Sequence, residues 1–313
     1  MHVWAGVDDI PEGLGPTSVT VGTFDGVHRG HRVLLDRVVA DAPKGLLPVA
    51  VTFDPHPMSV VRPELVPPML TTVVQRLELF ERFGIQGVLV VPFTPARAAQ
   101  PAAEFATSVL VDGLAARHVI VGCNFRFGNR AAGDVSLLED LGRSFGFDVT
   151  SVELEPLAGG GAVSSTVIRS MIGQGDVAGA AEALGHMFRL SGRVVTGDRR
   201  GRDLGFPTAN LEVPAGMAIP ADGVYAGRFH VPAHSAAWRP AAISVGTNPT
   251  FDGQVRRIEA YVLDAPAGYD VYGHRADVEF VDHIRPMARF DSTDALVAQM
   301  TADVARSRQI LGV

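Results

Sequence analysis

The sequence predicts a parallel α/β domain followed by a mainly antiparallel β-barrel domain with a C-terminal helix. Three observations carry this. From residue 18 to about 155, short apolar runs alternate with helical patterns, which is how a parallel sheet covered on both faces reads. After Phe188, strand-like runs follow one another across Gly, Pro and Asp turns with no helix between them, the pattern of an antiparallel sheet closing into a small barrel. The end of the chain then returns to a helical period.

In the first half, strands are expected at Ser18–Thr23, Pro48–Phe53, Gly87–Phe93, His118–Gly122 and Asp148–Leu154. Helices are expected at His31–Ala40, at Thr71–Phe83 closed by Gly84, at Pro101–Ala115 and at Val135–Phe145. After the run Gly159-Gly160-Gly161, the hydroxyls of Ser164, Ser165 and Thr166 suit a helix N-cap, with Arg169 about one turn on. An Ala-rich helix, Asp176–Gly185, leads to the second half. There, strands are expected at Arg189–Thr196, Gly223–His230, Ala241–Val245, Arg256–Leu263 and Ala276–Val281. The last helix, from Asp291 or Ser292 to Leu311, carries Leu296, Met300, Val304 and Ile310 and is expected to pack on the barrel. The domains are expected to span residues 1–186, linker helix included, and 187–313.

Composition removes several classes of function. A net charge of −7 over 313 residues speaks against a nucleic-acid partner. No apolar run approaches the roughly 18 residues of a membrane span, and Met1–Asp9 lacks the basic and apolar regions of a signal peptide. One cysteine, Cys123, allows neither an internal disulfide nor a Cys-rich metal site. Lying in an apolar strand pattern, it is expected to be a small buried side chain. An intracellular, cytoplasmic protein fits these features, and its oligomeric state is left open. Among 27 basic residues Lys44 is the one lysine, so phosphate chemistry must rest on Arg, His, backbone N–H groups or a metal.

The densest chemistry lies in Val21-Gly22-Thr23-Phe24-Asp25-Gly26-Val27-His28-Arg29-Gly30-His31. It puts two imidazoles after a strand and an Asp-Gly turn, at or near a helix N-terminus, where free N–H groups and the helix dipole attract phosphate. Imidazoles there can donate to phosphate oxygens as charge builds. The other reading is a plain strand–turn–helix corner with two solvated histidines. Asp54-Pro55-His56-Pro57 and Asn124-Phe125-Arg126-Phe127-Gly128 follow two further strands. Ligands of parallel sheets bind at those carboxyl ends.

A second cluster is rich in Gly and Arg. Gly192 to Gly197 mimics the start of a Walker A loop, but Asp198 and Arg199 follow where Lys and Ser/Thr are needed, so a P-loop is excluded. Glycines such as Gly201 and Gly205 let backbone N–H groups approach phosphate. Beyond Pro207, Thr208 and Asn210 sit two apart in an extended segment and share a face, where their oxygens suit Mg2+ held mainly by ATP phosphates. Glu259 alternates with Ile258 and Ala260 on a strand beside Tyr261. A partly desolvated carboxylate there, raised in pKa, suits a general base acting on an alcohol. Glu279, in Asp277-Val278-Glu279-Phe280, competes by the same logic, and an outward-facing strand glutamate is the ordinary alternative for both. The turn Gly246–Gly253 is either a simple turn or the wall of a ligand site.

Taken together, these segments resemble the bifunctional riboflavin kinase/FAD synthetase family of bacteria, in the same order and over nearly the whole chain. The first half resembles its FMN adenylyltransferase domain through residues 22–31, 52–57, 122–128 and 164–169. The second half resembles its riboflavin kinase domain through 201–210, 223–225, 246–251 and 257–263. The piece Gly205-Phe206-Pro207-Thr208-Ala209-Asn210 is much more specific than His28-Arg29-Gly30-His31, which many nucleotidyltransferases share. The resemblance implies a Rossmann-like nucleotidyltransferase domain and two ATP-using steps. Riboflavin is phosphorylated to FMN with release of ADP, and FMN is adenylylated to FAD with release of pyrophosphate, with Mg2+ accompanying ATP. It implies that His28 and His31 stabilise the α-phosphate and that Ser165, Thr166 and Arg169 hold the outer phosphates, with Gly22, Phe24 and Gly30 at the nucleotide. Asn124, Phe125 and Asn248 would lie by the flavin, Thr208 and Asn210 would organise Mg-ATP, and Glu259 would deprotonate the ribityl 5′-hydroxyl. Departures fall at Asn124, where many relatives carry Asp, and after Arg285, where Pro286-Met287 stands in place of a frequent acidic residue. Two other readings remain at this stage: an enzyme with one live activity, and a flavin-binding sensor or carrier without turnover.

Overall fold

A computed structural model describes residues 1–153, 162–197, 204–247, 256–266 and 268–313. By its contacts the chain forms two compact units, one of residues 1–67 and 71–164, the other of 68–70 and 165–313.

The first unit holds six strands: β1 (His2–Trp4), β2 (Thr17–Val21), β3 (Leu47–Asp54), β4 (Gly87–Pro92), β5 (Ala116–Gly122) and β6 (Asp148–Val152). They form one parallel sheet in the order β1-β4-β3-β2-β5-β6. Its helices are α1 (Arg29–Val39), the short α2 (Met58–Val61), α3 (Val73–Arg82), the short α4 (Pro95–Ala99), α5 (Ala102–Phe105) and α6 (Val135–Phe145). Both faces of the sheet are buried, which explains why its strands read as continuous apolar runs. Val19, Val49 and Leu89 belong to one core with Phe105, Val109 and Leu110, and Ala50, Val88 and Ile120 to another with Leu35 and Phe80.

Some elements differ from expectation. β1 is a three-residue edge strand paired with β4, too short for any period to reveal. The helix expected at Pro101–Ala115 splits into α5 and a π-helical stretch, Ala106–Gly113, in which the Leu114 N–H bonds five residues back to the Val109 carbonyl. Cys123 is exposed rather than buried. β5 stops at Gly122, and the chain turns there through a bond from the Phe125 N–H to the Gly122 carbonyl.

At the amino edge of the sheet, buried Asp41 joins three strands. It accepts hydrogen bonds from Ser18 Oγ at 2.7 Å and Lys44 Nζ at 2.7 Å, and pairs with His118 Nδ1 at 2.5 Å, while His118 Nε2 reaches Thr150 Oγ1 at 2.7 Å. Burial pushes the Asp41 carboxyl up, but the bonds from Lys44, Ser18 and His118 outweigh it and hold the group below its ordinary value. The stability this contributes is therefore complete above about pH 4 and is lost as pH falls through the lowered folded-state value. Asp41→Asn is expected to lower stability at pH 7 by about 1–2 kcal/mol and to flatten its decline below about pH 4. Urea midpoints measured from neutral pH into the acid range test this.

The second unit begins with two helices, α7 (Ser165–Gln174) and α8 (Val177–Leu184). Six strands follow: β7 (Phe188–Val195), β8 (Ala209–Glu212), β9 (Gly223–His230), β10 (Arg239–Thr247), β11 (Arg256–Val262) and β12 (Arg275–Pro286). They close into an antiparallel barrel in the order β10-β11-β8-β7-β12-β9. Phe188, Tyr225, Phe229, Ile243 and Phe280 are fully buried in this unit. By contacts α7 and α8 go with the barrel, so the compact units divide at 164/165 while the expected domain boundary stands at 186/187. The last helix, α9 (Thr293–Leu311), is capped by Ser292 and ends at Gly312. Asp303 anchors it to β12 by taking Arg285 Nε at 2.9 Å and Nη2 at 2.6 Å. Arg285 is thus engaged by the last helix. Among the described residues no helix is long and apolar enough to cross a membrane.

Candidate active sites

The strand order places the first site. The chain steps from β2 through β3 to β4 on one side and then returns to lay β5 on the other side of β2. The crevice at the carboxyl ends of β2 and β5 is therefore the switch point, where open α/β sheets bind ligands. Residues 22–28 leave β2 there, Asn124 leaves β5, and His56 follows the adjacent β3. The three polar clusters thus stand at the ends of three neighbouring strands.

The turn after β2 is tightly specified. Gly22 N–H bonds to the Val51 carbonyl at 3.1 Å. Phe24, Gly26 and Val27 then have φ of 51°, 83° and 40°, a left-handed path that a β-branched valine rarely takes. His28 is the N-cap of α1, and its Nδ1 accepts the His31 backbone N–H at 3.3 Å. The helix therefore starts at Arg29, two residues before the expected start, because the imidazole itself satisfies a free donor. Accepting at Nδ1 leaves the proton of neutral His28 on Nε2. The His28 and His31 rings stack with centroids 3.6 Å apart. A Cβ on Gly30 would lie 3.2 Å from the His28 ring, so glycine leaves that ring room. His31 Nδ1 is buried with no hydrogen-bond partner among the described residues. Burial, and then the neighbouring His28, hold the His31 pKa well below the usual histidine value. Phe24 is fully buried, with its ring edge-on to His31 at 5.1 Å and to Phe80 at 5.4 Å, so its side chain backs His31 and does not face solvent.

Other expected residues fall as follows. Asn124 is exposed, and half-buried Phe125 stacks on Phe127 at 5.3 Å. Phe127, Phe105, Phe53 and Phe93 continue the aromatic row at 5.6–6.4 Å. Ser165 and exposed Thr166 open α7, and Arg169 lies one turn on, its Nε donating to the Pro68 carbonyl at 2.7 Å. These three belong to the second compact unit.

The sequence reading missed the supports of the turn. Thr71 Oγ1 receives the Gly26 N–H at 2.9 Å, and Asp25 Oδ1 receives the Thr71 N–H at 3.0 Å. Arg76 on α3 is buried and donates to the Thr23 carbonyl and Thr52 Oγ1, each at 2.7 Å. A signal existed: Gln75 and Arg76 interrupt the apolar stripe that Leu79 and Phe80 continue, and a polar pair on a buried stripe marks a specific partner.

The second site lies on the outer face of the barrel. Ile258, Ala260 and Val262 are buried while Glu259 and Tyr261 are half-buried, the alternation expected of β11. Register pairs Glu259 with Asn210 of β8 on one side and with Ser244 of β10 on the other. Thr208 Oγ1 donates to Glu259 Oε2 at 3.2 Å. Asn210 is 8% exposed, and its Oδ1 has no hydrogen-bond partner among the described residues. A Cβ on Gly197 would fall 2.3 Å from Asn210 Nδ2, so a side chain there would displace the Asn210 amide. Phe206 packs edge-on to Tyr261 at 5.3 Å, and Gly205 turns with φ of 85°. Gly201 and Asn248 lie outside the described residues. Glu279 sits on β12 near Arg228 at 3.9 Å, with β8 and β7 between its strand and β11 in the barrel order. The barrel therefore gathers Thr208 and Asn210 around Glu259 and not around Glu279.

The chain thus carries an imidazole pair at the switch point of a parallel α/β unit and a Thr-Asn-Glu set on a closed barrel, an architecture in keeping with a nucleotide-using transferase. The FAD synthetase family model matches residues 11–167 and the riboflavin kinase family model matches 184–311. The bifunctional riboflavin kinase/FMN adenylyltransferase of Escherichia coli strain K12 is 38% identical over 94% of this chain and 93% of its own. That of Pseudomonas fluorescens is 36% identical over 93% and 92%. A solved Streptococcus pneumoniae structure, described as a macrolide-efflux protein, is 31% identical with a TM-score of 0.86 over 98% of both chains. The chain belongs to the bifunctional riboflavin kinase/FMN adenylyltransferase family. It is an ATP-using enzyme that converts riboflavin to FMN and FMN to FAD.

Proposed function

We propose that residues 187–313 phosphorylate riboflavin at the Thr208–Asn210–Glu259 set and that residues 1–186 adenylylate FMN at the His28–His31 corner. The observation that carries the first assignment is the pairing of Glu259 with Thr208 beside a buried amide oxygen that has no partner among the described residues. A hydroxyl, an amide oxygen and a nearby carboxylate are hard oxygen donors, which suit Mg2+, so Thr208 and Asn210 would hold Mg-ATP. The metal supplies charge neutralisation of the phosphates. Glu259 takes the proton of the ribityl 5′-hydroxyl as its oxygen attacks the γ-phosphorus and ADP leaves. Tyr261, two residues on along the same strand face, packs against Phe206. Asn248 is assigned to the flavin and Gly201 to the phosphates, and Gly205 brings a main-chain N–H group to the phosphates.

At the other site His28 and His31 donate to the α-phosphate as the FMN phosphate attacks and pyrophosphate leaves. Gly22 and Gly30 keep the main chain close to the nucleotide. Asn124 and Phe125 border the isoalloxazine, with the phenylalanine row as an apolar wall. Neutral His31 retains one N–H and adds no fixed charge beside His28, so the pair responds to charge that develops on the phosphate.

Incubating the protein with riboflavin, ATP and Mg2+ and resolving FMN from FAD is the direct test. Both products are expected, FMN first. FMN without FAD would remove the His-corner assignment, and bound but unchanged flavin would turn the reading to a sensor.

A further inference from the structure

We propose that Arg76 is a positioning residue for adenylyl transfer: its guanidinium holds the turn after β2 in the path that presents His28 and His31. The proposal rests on the assignment of those histidines to the adenylyl-transfer step.

Arg76 is 3% exposed. Its partners lie at the carboxyl ends of two neighbouring strands. Nη1 reaches the Thr23 carbonyl and Thr52 Oγ1 at 2.7 Å, and both Nη1 and Nη2 lie 3.4 Å from the Phe53 carbonyl. Thr52 Oγ1 in turn donates to the same Thr23 carbonyl at 3.1 Å. The carboxylates of Asp25 and Asp54 supply the opposing charge.

A buried arginine is costly, and an apolar side chain would fill the space with less desolvation. What an apolar side chain cannot do is grip carbonyls. The grip falls where the main chain most needs it. Immediately after Thr23, Phe24 and Val27 are held at positive φ, a conformation that persists only when its surroundings over-determine it. Arg76 fixes the entry to that turn at Thr23, and Thr71 with Asp25 fixes its middle at Gly26. The imidazoles at its exit are stacked at 3.6 Å with one serving as the helix cap, so a shift of the turn moves both together. A displacement of about 1 Å at a reacting group costs about 10²-fold in rate.

The test uses the full chain. For Arg76→Met, kcat for FAD formation from FMN is expected to fall about 100-fold, with the KM for ATP and for FMN changed by less than about threefold. Arg76→Lys returns one donor without the planar fork and is expected to recover about tenfold of that loss. Thr52→Val keeps the arginine but removes the hydroxyl that links it to Thr23, and is expected to lower kcat about tenfold with KM unchanged. Rates are taken per folded molecule from unfolding curves, and riboflavin phosphorylation should stay at the parent level in all three. If Arg76→Met does not fold, the Lys and Thr52→Val variants carry the test. A KM rise at unchanged kcat would make Arg76 a substrate contact and overturn the proposal, as would an unchanged kcat in the folded variants. His31→Ala separates the two failures. If it leaves FAD synthesis intact, the histidine assignment falls. If it abolishes FAD synthesis while the Arg76 variants keep full kcat, the Arg76 proposal alone falls.

Discussion

Glu259→Ala is expected to lower riboflavin phosphorylation by about 10³-fold, the middle of the range for loss of a general base, and to leave FMN adenylylation at the parent rate. Among the described residues, the strands beside it offer the carboxylate no substitute. Its cross-strand neighbours are Asn210 and Ser244, neither of which takes a proton near neutral pH. Thr208 donates to Glu259 and does not accept from it in the described arrangement, so removing the carboxylate frees the threonine hydroxyl without replacing the base. Glu259→Gln preserves shape and should fail nearly as badly, which separates proton acceptance from packing. Supplied with riboflavin and ATP, either variant should accumulate no FAD. Supplied with FMN and ATP, both should produce it. Parent-level phosphorylation by Glu259→Gln would overturn the assignment of the base.

His31→Ala is expected to do the reverse, lowering FAD formation from FMN by about 10²–10³-fold, the usual cost of removing a preorganised donor to developing charge. Riboflavin phosphorylation should continue, so the variant should build up FMN. The effect should appear mainly in kcat, because the imidazole interacts most strongly with the phosphate as it gains charge. The variant keeps the helix cap, since the bond comes from the backbone N–H of residue 31 to His28 Nδ1. Fold loss is therefore not the expected cause, and an unchanged unfolding curve checks that. If one of these two substitutions removed both activities in a folded chain, the two-site assignment would be wrong.

Much of this arrangement is legible in the residues. Val135–Phe145 is a helix over the expected span, and Gly223–His230 is a strand over the expected span. In both, a strong period is bounded by a cap or a turn residue, Asp134 and Gly146 in the helix. The unbroken apolar runs of β3 and β4 announce a sheet buried on both faces. Motif order placed all three polar clusters of the first half after strands, and placed Thr208 and Asn210 two apart on an extended segment. Local signals were weaker where pairing or packing makes the structure. β8 is four residues long and is a strand because β7 and β11 lie on either side of it. The exposure of Cys123 follows from where β5 stops, which depends on the turn at Gly122 and not on the apolar character of the residues before it.

The sequence by itself determines the two architectures, the absence of a lysine-bearing P-loop, and the residue types available for phosphate chemistry. Periodicity and composition are local properties and need no fold to be read. Three decisions belong to the tertiary structure. Glu259 and Glu279 are indistinguishable as strand glutamates, and only the barrel order sets Thr208 and Asn210 beside one of them. The histidines read as a pair at a helix start, but the cap, the stacking and the depressed His31 pKa arise from the turn that brings the rings together. Arg76 stands 45 residues beyond His31 in the numbering, and its role depends on carbonyls at the ends of two strands that only sheet pairing makes neighbours. In each case the deciding quantity is a distance between residues far apart in the chain, which spacing along the sequence does not contain.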